Sequence, residues 1–196
     1  MLRRTKADQV CRVYTRLFEK YPDIQSIARA RQSDLKRIVR PLGLNWRLPA
    51  FRLVARAIRD RFACMVPRER GKLLALPGVG DYVAGAVLSI ACGQEEWIVD
   101  SNVVRLFKRY FGVETSKEGR RDRHIIEIAQ AYVKGTDARK ANLALLDFSA
   151  LVCAPRSQCG GKCPLKRTCY YVRYSPSSRQ KMGFLKVDSS PSSVRL

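Results

Sequence analysis

Four cysteines with the spacing C-x5-C-x3-C-x5-C stand close together towards the carboxyl end of the sequence. Four thiolates at such a spacing can hold either an iron–sulfur cluster or a zinc ion, and four free thiols are a third interpretation. The sequence has seven cysteines, an odd number that argues against a secreted disulfide framework and for a reducing compartment. The four clustered residues are Cys153, Cys159, Cys163 and Cys169.

A second group able to do chemistry is the carboxylate of Asp100, which directly precedes the helical pattern of residues 101–111. A carboxylate can activate a water molecule or stabilise positive charge that develops during a reaction. It can equally be a helix N-cap that accepts hydrogen bonds from the first backbone N–H groups. From the residues alone, the N-cap is the favoured interpretation.

A tight turn of sequence PGVG joins two helical patterns, 69–76 and 81–92. Its glycines, Gly78 and Gly80, permit positive φ and let the backbone approach another molecule closely. Backbone N–H groups at the start of the second helix can then bind a phosphate oxygen, which makes Gly78, Val79 and Gly80 candidate contacts to a DNA backbone. An ordinary corner between two packed helices is the alternative.

Helices must position these groups, because almost no segment has the alternating pattern of a strand. Residues 173–196 are rich in Ser, Pro and Arg, a composition that predicts a flexible tail. The sequence therefore predicts an all-α protein. The predicted helices are 8–20, 24–30, 33–39, 51–62, 69–76, 81–92, 101–111, 123–133 and 138–152.

The charge of the chain indicates a polyanionic partner. It has 38 Lys and Arg against 17 Asp and Glu, a formal net charge of +21. Nucleic acid is the favoured partner, and an anionic membrane surface or a basic structural protein are the alternatives. No apolar run approaches the roughly 18 residues that span a bilayer, and no signal-peptide core is present. We expect a soluble intracellular protein of the cytoplasm or nucleoid, or of the nucleus in a eukaryote.

Two long motifs carry a resemblance to a known family. LPGVGDYVAGAVLSIACG is followed by IVDSNVVRLFKRYFG, and then by DFSALVC and the four cysteines. In this order, over roughly residues 1–172, the sequence resembles the helix-hairpin-helix DNA glycosylases of the endonuclease III and adenine glycosylase superfamily. The resemblance implies two helical lobes, one of residues 22–99 with the hairpin and one of residues 1–21 and 100–172 with a C-terminal iron–sulfur cluster loop.

The family has the cysteine pattern C-x6-C-x2-C-x5-C, of the same total span. Here the second cysteine stands one residue earlier, and Gly160 and Gly161 supply the backbone freedom for that shift. The resemblance implies a [4Fe-4S] cluster rather than zinc, with the structural role of fixing a basic loop against phosphates. The basic residues of that loop are Arg156, Lys162, Lys166 and Arg167.

The resemblance also implies catalytic residues. In the family, an Asp at the head of the helix after the hairpin lies at the mouth of the base pocket, and Asp100 matches it. The position of Tyr82 holds Lys in members that cut the strand, usually Ser in adenine-specific members, and Tyr in members that remove thymine or uracil opposite guanine. Tyr82 is therefore expected to contact a flipped base, with a packed helix tyrosine as the alternative.

Two further groups of DNA contacts follow from the resemblance. Arg3 and Arg4 match an Arg-Arg pair of the thymine mismatch members, in which Arg4 would fill the space left by the flipped base. Asn45, Trp46 and Arg47 match a loop that inserts into the duplex and could contact the unpaired guanine. The alternative for Arg3 and Arg4 is that they are solvated charges on an exposed helix face. The alternative for Trp46 is that it covers the core.

The function implied is hydrolysis of the N-glycosidic bond of thymine or uracil opposite guanine, after base flipping and without strand cleavage. Adenine removal opposite 8-oxoguanine or guanine is the alternative within the family. A DNA-binding module without catalysis is the alternative of another class. The expected partner is double-stranded DNA with a mismatched or damaged base, and we expect a monomer.

Overall fold

The structure, a computed structural model, describes residues 7–43, 48–116, 118–156 and 163–174. All regular secondary structure in these ranges is helical, and the predicted all-α fold class is confirmed. No helix of the described part is long and apolar enough to cross a bilayer. Contacts divide the chain into two compact units, Met1–Ile98 and Val99–Leu196.

The first unit consists of short helices joined by tight turns. Helix α2 (Ile24–Arg29) begins with a capping box, in which the Asp23 side chain accepts a hydrogen bond from the backbone N–H of Ser26 and the Ser26 hydroxyl oxygen accepts one from the backbone N–H of Asp23. Helix α6 (Asp81–Ala86) continues as a π-helical turn, Val87–Ala91. The helices are α1 (Ala7–Lys20), α2 (Ile24–Arg29), α3 (Gln32–Val39), α4 (Leu48–Phe62), α5 (Arg70–Leu74) and α6 (Asp81–Ala86).

Helix α1 buries its apolar face against α3 within this unit. Val13 packs with Val39, and Leu17 packs with Leu35. The sequence predicts one lobe of residues 22–99 and another in which residues 1–21, and with them α1, join residues 100–172. This division into lobes stays a prediction. A separate hydrophobic cluster joins α4 to the two helices on either side of the hairpin turn, which is the PGVG segment of residues 77–80. The members of this cluster are Ile58, Leu73, Leu76, Ala84 and Leu88.

The second unit is arranged around helix α7 (Ser101–Phe111), which buries Val103, Leu106 and Phe107. Three of its helices begin at Asp residues, Asp100, Asp122 and Asp137, whose side chains accept hydrogen bonds from backbone N–H groups of the first turn. Helix α9 (Ala138–Asp147) continues as a π-helical turn, Phe148–Val152, that ends at Cys153, the first of the four clustered cysteines. The helices are α7 (Ser101–Phe111), α8 (Arg123–Val133), α9 (Ala138–Asp147) and α10 (Tyr170–Tyr174).

Candidate active site

Asp100 is the N-cap of α7, as one of the two interpretations of the sequence predicted. Its Oδ1 accepts hydrogen bonds from the backbone N–H groups of Asn102 and Val103, both at 2.8 Å. Its Oδ2 accepts a third from the side-chain amide of Asn102, at 3.0 Å. These bonds fix the orientation of a half-buried carboxylate. They leave acceptor capacity on Oδ2, since a carboxylate oxygen has two lone pairs.

A chain of hydrogen bonds continues from Asn102 to the loop that carries the first clustered cysteine. The Asn102 Oδ1 accepts from Nη1 of Arg105 at 2.9 Å. The same guanidinium donates to the carbonyl of Cys153 at 2.9 Å and to the carbonyl of Ser149 at 2.6 Å. Asn102 and Arg105 were not among the residues predicted from the sequence, although their spacing of three residues, which places them on one helix face, was the available signal.

Arg109, one turn further along α7, contacts two of the predicted metal ligands. Its Nη1 donates to the Cys153 sulfur at 3.6 Å and to the carbonyl of Ala154 at 2.9 Å. The thiol of Cys169 donates to the Arg109 backbone carbonyl at 3.4 Å. Cys153 and Cys169 are buried, and Cys163 is half-buried. The sulfur atoms of Cys153 and Cys169 thus both contact Arg109.

One member of the cysteine group is not described. Cys159 lies outside the described residues, between two ranges that hold the other three cysteines. Among the residues that the structure describes, no three His, Cys, Asp or Glu side chains form a group that could hold a metal ion. The metal site therefore stays a prediction.

The hairpin turn between α5 and α6 uses its two glycines differently. Gly78 has φ +77°, and a Cβ there would lie 2.9 Å from Cβ of Ala50 in α4. Gly80 has φ −114° and ψ 179°, an extended conformation open to any residue, and an added Cβ there would have no atom of the described residues within 4 Å. Of the two glycines of this turn, only Gly78 therefore adopts a positive φ. The Val79 N–H donates to the carbonyl of Leu76 at 3.2 Å, which closes the turn.

Arg70 of α5 holds α6 and the segment after it together. Its guanidinium donates twice to the Glu96 carboxylate, at 2.9 and 2.6 Å, and once to the carbonyl of Trp97 at 3.3 Å. It also lies 4.1 Å from the centre of the Trp97 ring and 3.6 Å from the Asp81 carboxylate. Gly85 of α6 packs directly on the Trp97 backbone. None of these contacts was predicted from the sequence.

Tyr82 is a half-buried residue in the first turn of α6, in the first unit, whereas Asp100 belongs to the second. The expected contact of Tyr82 with a flipped base stays a prediction. The predicted DNA contacts Arg3, Arg4, Asn45, Trp46 and Arg47 lie outside the described residues.

Comparisons with known proteins add a family and several relatives. A family model described as "HhH-GPD superfamily base excision DNA repair protein" matches residues 1–131. A thymine/uracil-DNA glycosylase of Methanothermobacter thermautotrophicus is 36% identical over 87% of this chain and 78% of its own length. An adenine DNA glycosylase of Rattus norvegicus is 31% identical over 86% of this chain but 33% of its own length. The solved structure of a thermostable thymine-DNA glycosylase matches 88% of this chain and 80% of that chain, with a TM-score of 0.81 and 36% identity.

Proposed function

This chain belongs to the HhH-GPD superfamily of base excision DNA repair proteins, and we propose that it removes thymine or uracil mispaired with guanine. The predicted enzyme class, a DNA glycosylase, is confirmed by the relatives. The observation that carries the proposed substrate is the match to a thymine/uracil-DNA glycosylase, at higher identity and over far more of its length than the match to an adenine DNA glycosylase.

Asp100 is the proposed catalytic residue. Breaking an N-glycosidic bond places positive charge on the sugar, which a nearby carboxylate stabilises, or the carboxylate activates the attacking water. Three hydrogen bonds hold this carboxylate in one orientation, which is the preorganisation that such a role requires. The cap and the catalytic role are therefore compatible.

Tyr82 is proposed to contact the flipped pyrimidine, either by stacking or through its hydroxyl group. A phenol cannot form a Schiff base with the sugar, whereas a lysine amine can. We therefore propose that the enzyme releases the base and leaves the strand uncut.

DNA is the partner, and its backbone is the proposed ligand of the hairpin at Gly78, Val79 and Gly80. The net charge of +21 supports a large sequence-independent contribution to that binding. Arg4, with Arg3 beside it, is proposed to fill the space left by the flipped base. The segment with Asn45, Trp46 and Arg47 is proposed to contact the unpaired guanine.

Excision on defined duplexes tests the substrate proposal. We expect alkali-revealed abasic sites with T·G and U·G duplexes, at rates about 100-fold above a T·A duplex, because flipping a mispaired base costs a few kcal/mol less. No strand should be cut before alkali is added. Release of adenine alone, opposite 8-oxoguanine or guanine, would establish the alternative substrate. Binding without any base release would indicate a DNA-binding module.

We propose a [4Fe-4S] cluster as the cofactor, because the clustered cysteines have the chemistry of its ligands. Cysteine thiolates are the ligands that such clusters use, and the sulfurs of Cys153 and Cys169 both contact Arg109. The Arg109 guanidinium beside the Cys153 sulfur complements the negative charge of a thiolate. We propose that these two residues, with Cys159 and Cys163, hold the cluster. When bound, it would crosslink the π-helical turn after α9 to the segment before α10.

The metal content of the purified protein tests this cofactor. We expect iron and inorganic sulfide in equal amounts, a broad visible absorption, and loss of both on Cys153→Ser substitution. Cys11→Ser is the matched control, because Cys11 is an exposed residue of α1 outside the cysteine group, and it should retain the cluster. Zinc without sulfide would contradict the proposal, as would a Cys153→Ser variant that keeps its iron.

A further inference from the structure

One carboxylate stands directly beside the hairpin turn that is proposed to bind the DNA backbone. Asp81 follows Gly80 in the sequence and is the first residue of α6, and 42% of its side chain is exposed. A phosphate bound at the turn would lie within the electrostatic screening length of this carboxylate, which is about 10 Å at 0.1 M salt. Two negative charges at such a distance repel each other. Asp81 therefore opposes the binding that the net charge of +21 favours.

Arg70, in α5 on the other side of the turn, reaches this carboxylate with one nitrogen of its guanidinium. Its Nε and Nη2 donate to the Glu96 carboxylate and to the Trp97 carbonyl. Its Nη1 is buried and has no hydrogen-bond acceptor among the residues that the structure describes. The Asp81 Oδ1 lies 3.6 Å from that nitrogen, just beyond hydrogen-bond distance. A shift of the carboxylate by about 0.5 Å would therefore complete a hydrogen bond to Nη1.

Both side chains are stabilised when that hydrogen bond forms. A buried donor without an acceptor is unfavourable, and a hydrogen bond between two charged groups is stronger than one between neutral groups. A phosphate at the turn repels the Asp81 carboxylate, whereas the Arg70 guanidinium attracts it. When the carboxylate is paired with Arg70, its charge is partly neutralised and it repels the phosphate less.

We propose that Asp81 weakens the binding of DNA phosphates at the hairpin turn, and that Arg70 limits this effect by pairing with the carboxylate. This inference rests on the proposed binding of the DNA backbone by Gly78, Val79 and Gly80. Sequence-independent contacts to phosphates hold a strongly cationic chain on undamaged DNA. A carboxylate at the turn weakens those contacts and so favours release from duplexes that contain no mispaired base.

Equilibrium binding of the full chain to an undamaged duplex tests the proposal. We expect Asp81→Asn to lower the dissociation constant by about 3- to 10-fold at about 0.1 M salt, and by less at higher salt, where the charges are screened. Asp81→Glu retains the charge and should bind within about twofold of the parent. Asp137→Asn is the control, because it removes the same charge from an exposed helix start in the second unit, and it should also bind within about twofold of the parent.

Thermal unfolding separates this effect from a change in the fold. A carboxylate in the first turn of a helix stabilises that helix, so Asp81→Asn should lower Tm by about 1–4 °C. The same substitution should therefore tighten DNA binding while it destabilises the protein. A merely structural role of Asp81 predicts the opposite change in affinity, because a less stable hairpin binds DNA less well.

A double-mutant cycle tests the part assigned to Arg70. Asp81→Asn should tighten binding by a larger factor in an Arg70→Gln variant than in the parent, because the carboxylate there has lost its paired guanidinium. Equal factors in the two backgrounds would overturn the role of Arg70. If Arg70→Gln fails to fold, as judged by circular dichroism, Arg70→Lys provides the same cycle, since one ammonium cannot replace the fork of a guanidinium.

These binding measurements do not depend on base release, so the two proposals fail separately. An Asp81→Asn variant that binds DNA no more tightly than the parent would overturn this inference, even if the parent releases thymine from a T·G duplex. A parent that shows the expected shifts in binding but releases no base would support this inference and refute only the proposed substrate.

Discussion

Asp100→Asn should lower the single-turnover rate of base release by about 1,000-fold, while the dissociation constant for a T·G duplex stays within about twofold. The amide removes the negative charge that the proposed mechanism places beside the sugar. It retains the size of the side chain and an oxygen that accepts the N–H groups of Asn102 and Val103. Because Asn is as good an N-cap as Asp, the variant should unfold within about 2 °C of the parent.

The same substitution at another helix start distinguishes catalysis from capping. Asp137 is the N-cap of α9 in the same unit, and its side chain accepts a hydrogen bond from the N–H of Lys140. Asp137→Asn should therefore retain the parent rate of base release. Equal rates in both variants would mean that Asp100 serves the fold alone.

Most of the features that could be predicted depend only on residues that are close together in the sequence. The apolar spacing along the chain predicts helices near α1, α2, α3, α7 and α8, because such patterns reflect one buried face per helix. Asp100 was identifiable as a cap because a cap depends on the next three residues only. Helix α4 begins at Leu48 rather than at 51, since Pro49 is compatible with a first helical turn.

Contacts between distant residues could not be predicted in this way. Arg105 meets Cys153 across 48 positions, and this pairing depends on how the π-helical turn after α9 packs beside α7. In the sequence, Arg105 is only a basic residue on a helix, and a solvated side chain has the same pattern. Arg70 and Trp97 pose the same difficulty, because a cation over a ring is fixed by tertiary packing.

Gly85→Ala should destabilise the first unit by about 3 kcal/mol, at the upper end of the cost of overpacking a tight contact. An added Cβ would lie 3.2 Å from the carbonyl carbon of Trp97, nearer still to its oxygen, and 3.3 Å from Nη2 of Arg70. Most of this obstruction is backbone, which cannot rotate away as a side chain can. The segment must therefore move, which disturbs the hydrogen bonds of Arg70 to Glu96 and to the Trp97 carbonyl.

Thermal unfolding measures this effect, with an expected fall in Tm of about 6–12 °C for a chain of this size. Gly71→Ala is the matched control: Gly71 lies in helix α5, and an added Cβ would have no atom within 4 Å. That variant should gain about 0.5 kcal/mol, because alanine loses less backbone entropy on entering a helix. Opposite signs for the same substitution would locate the cost in the approach of α6 to Trp97, whereas two stabilised variants would mean that this approach is looser than described.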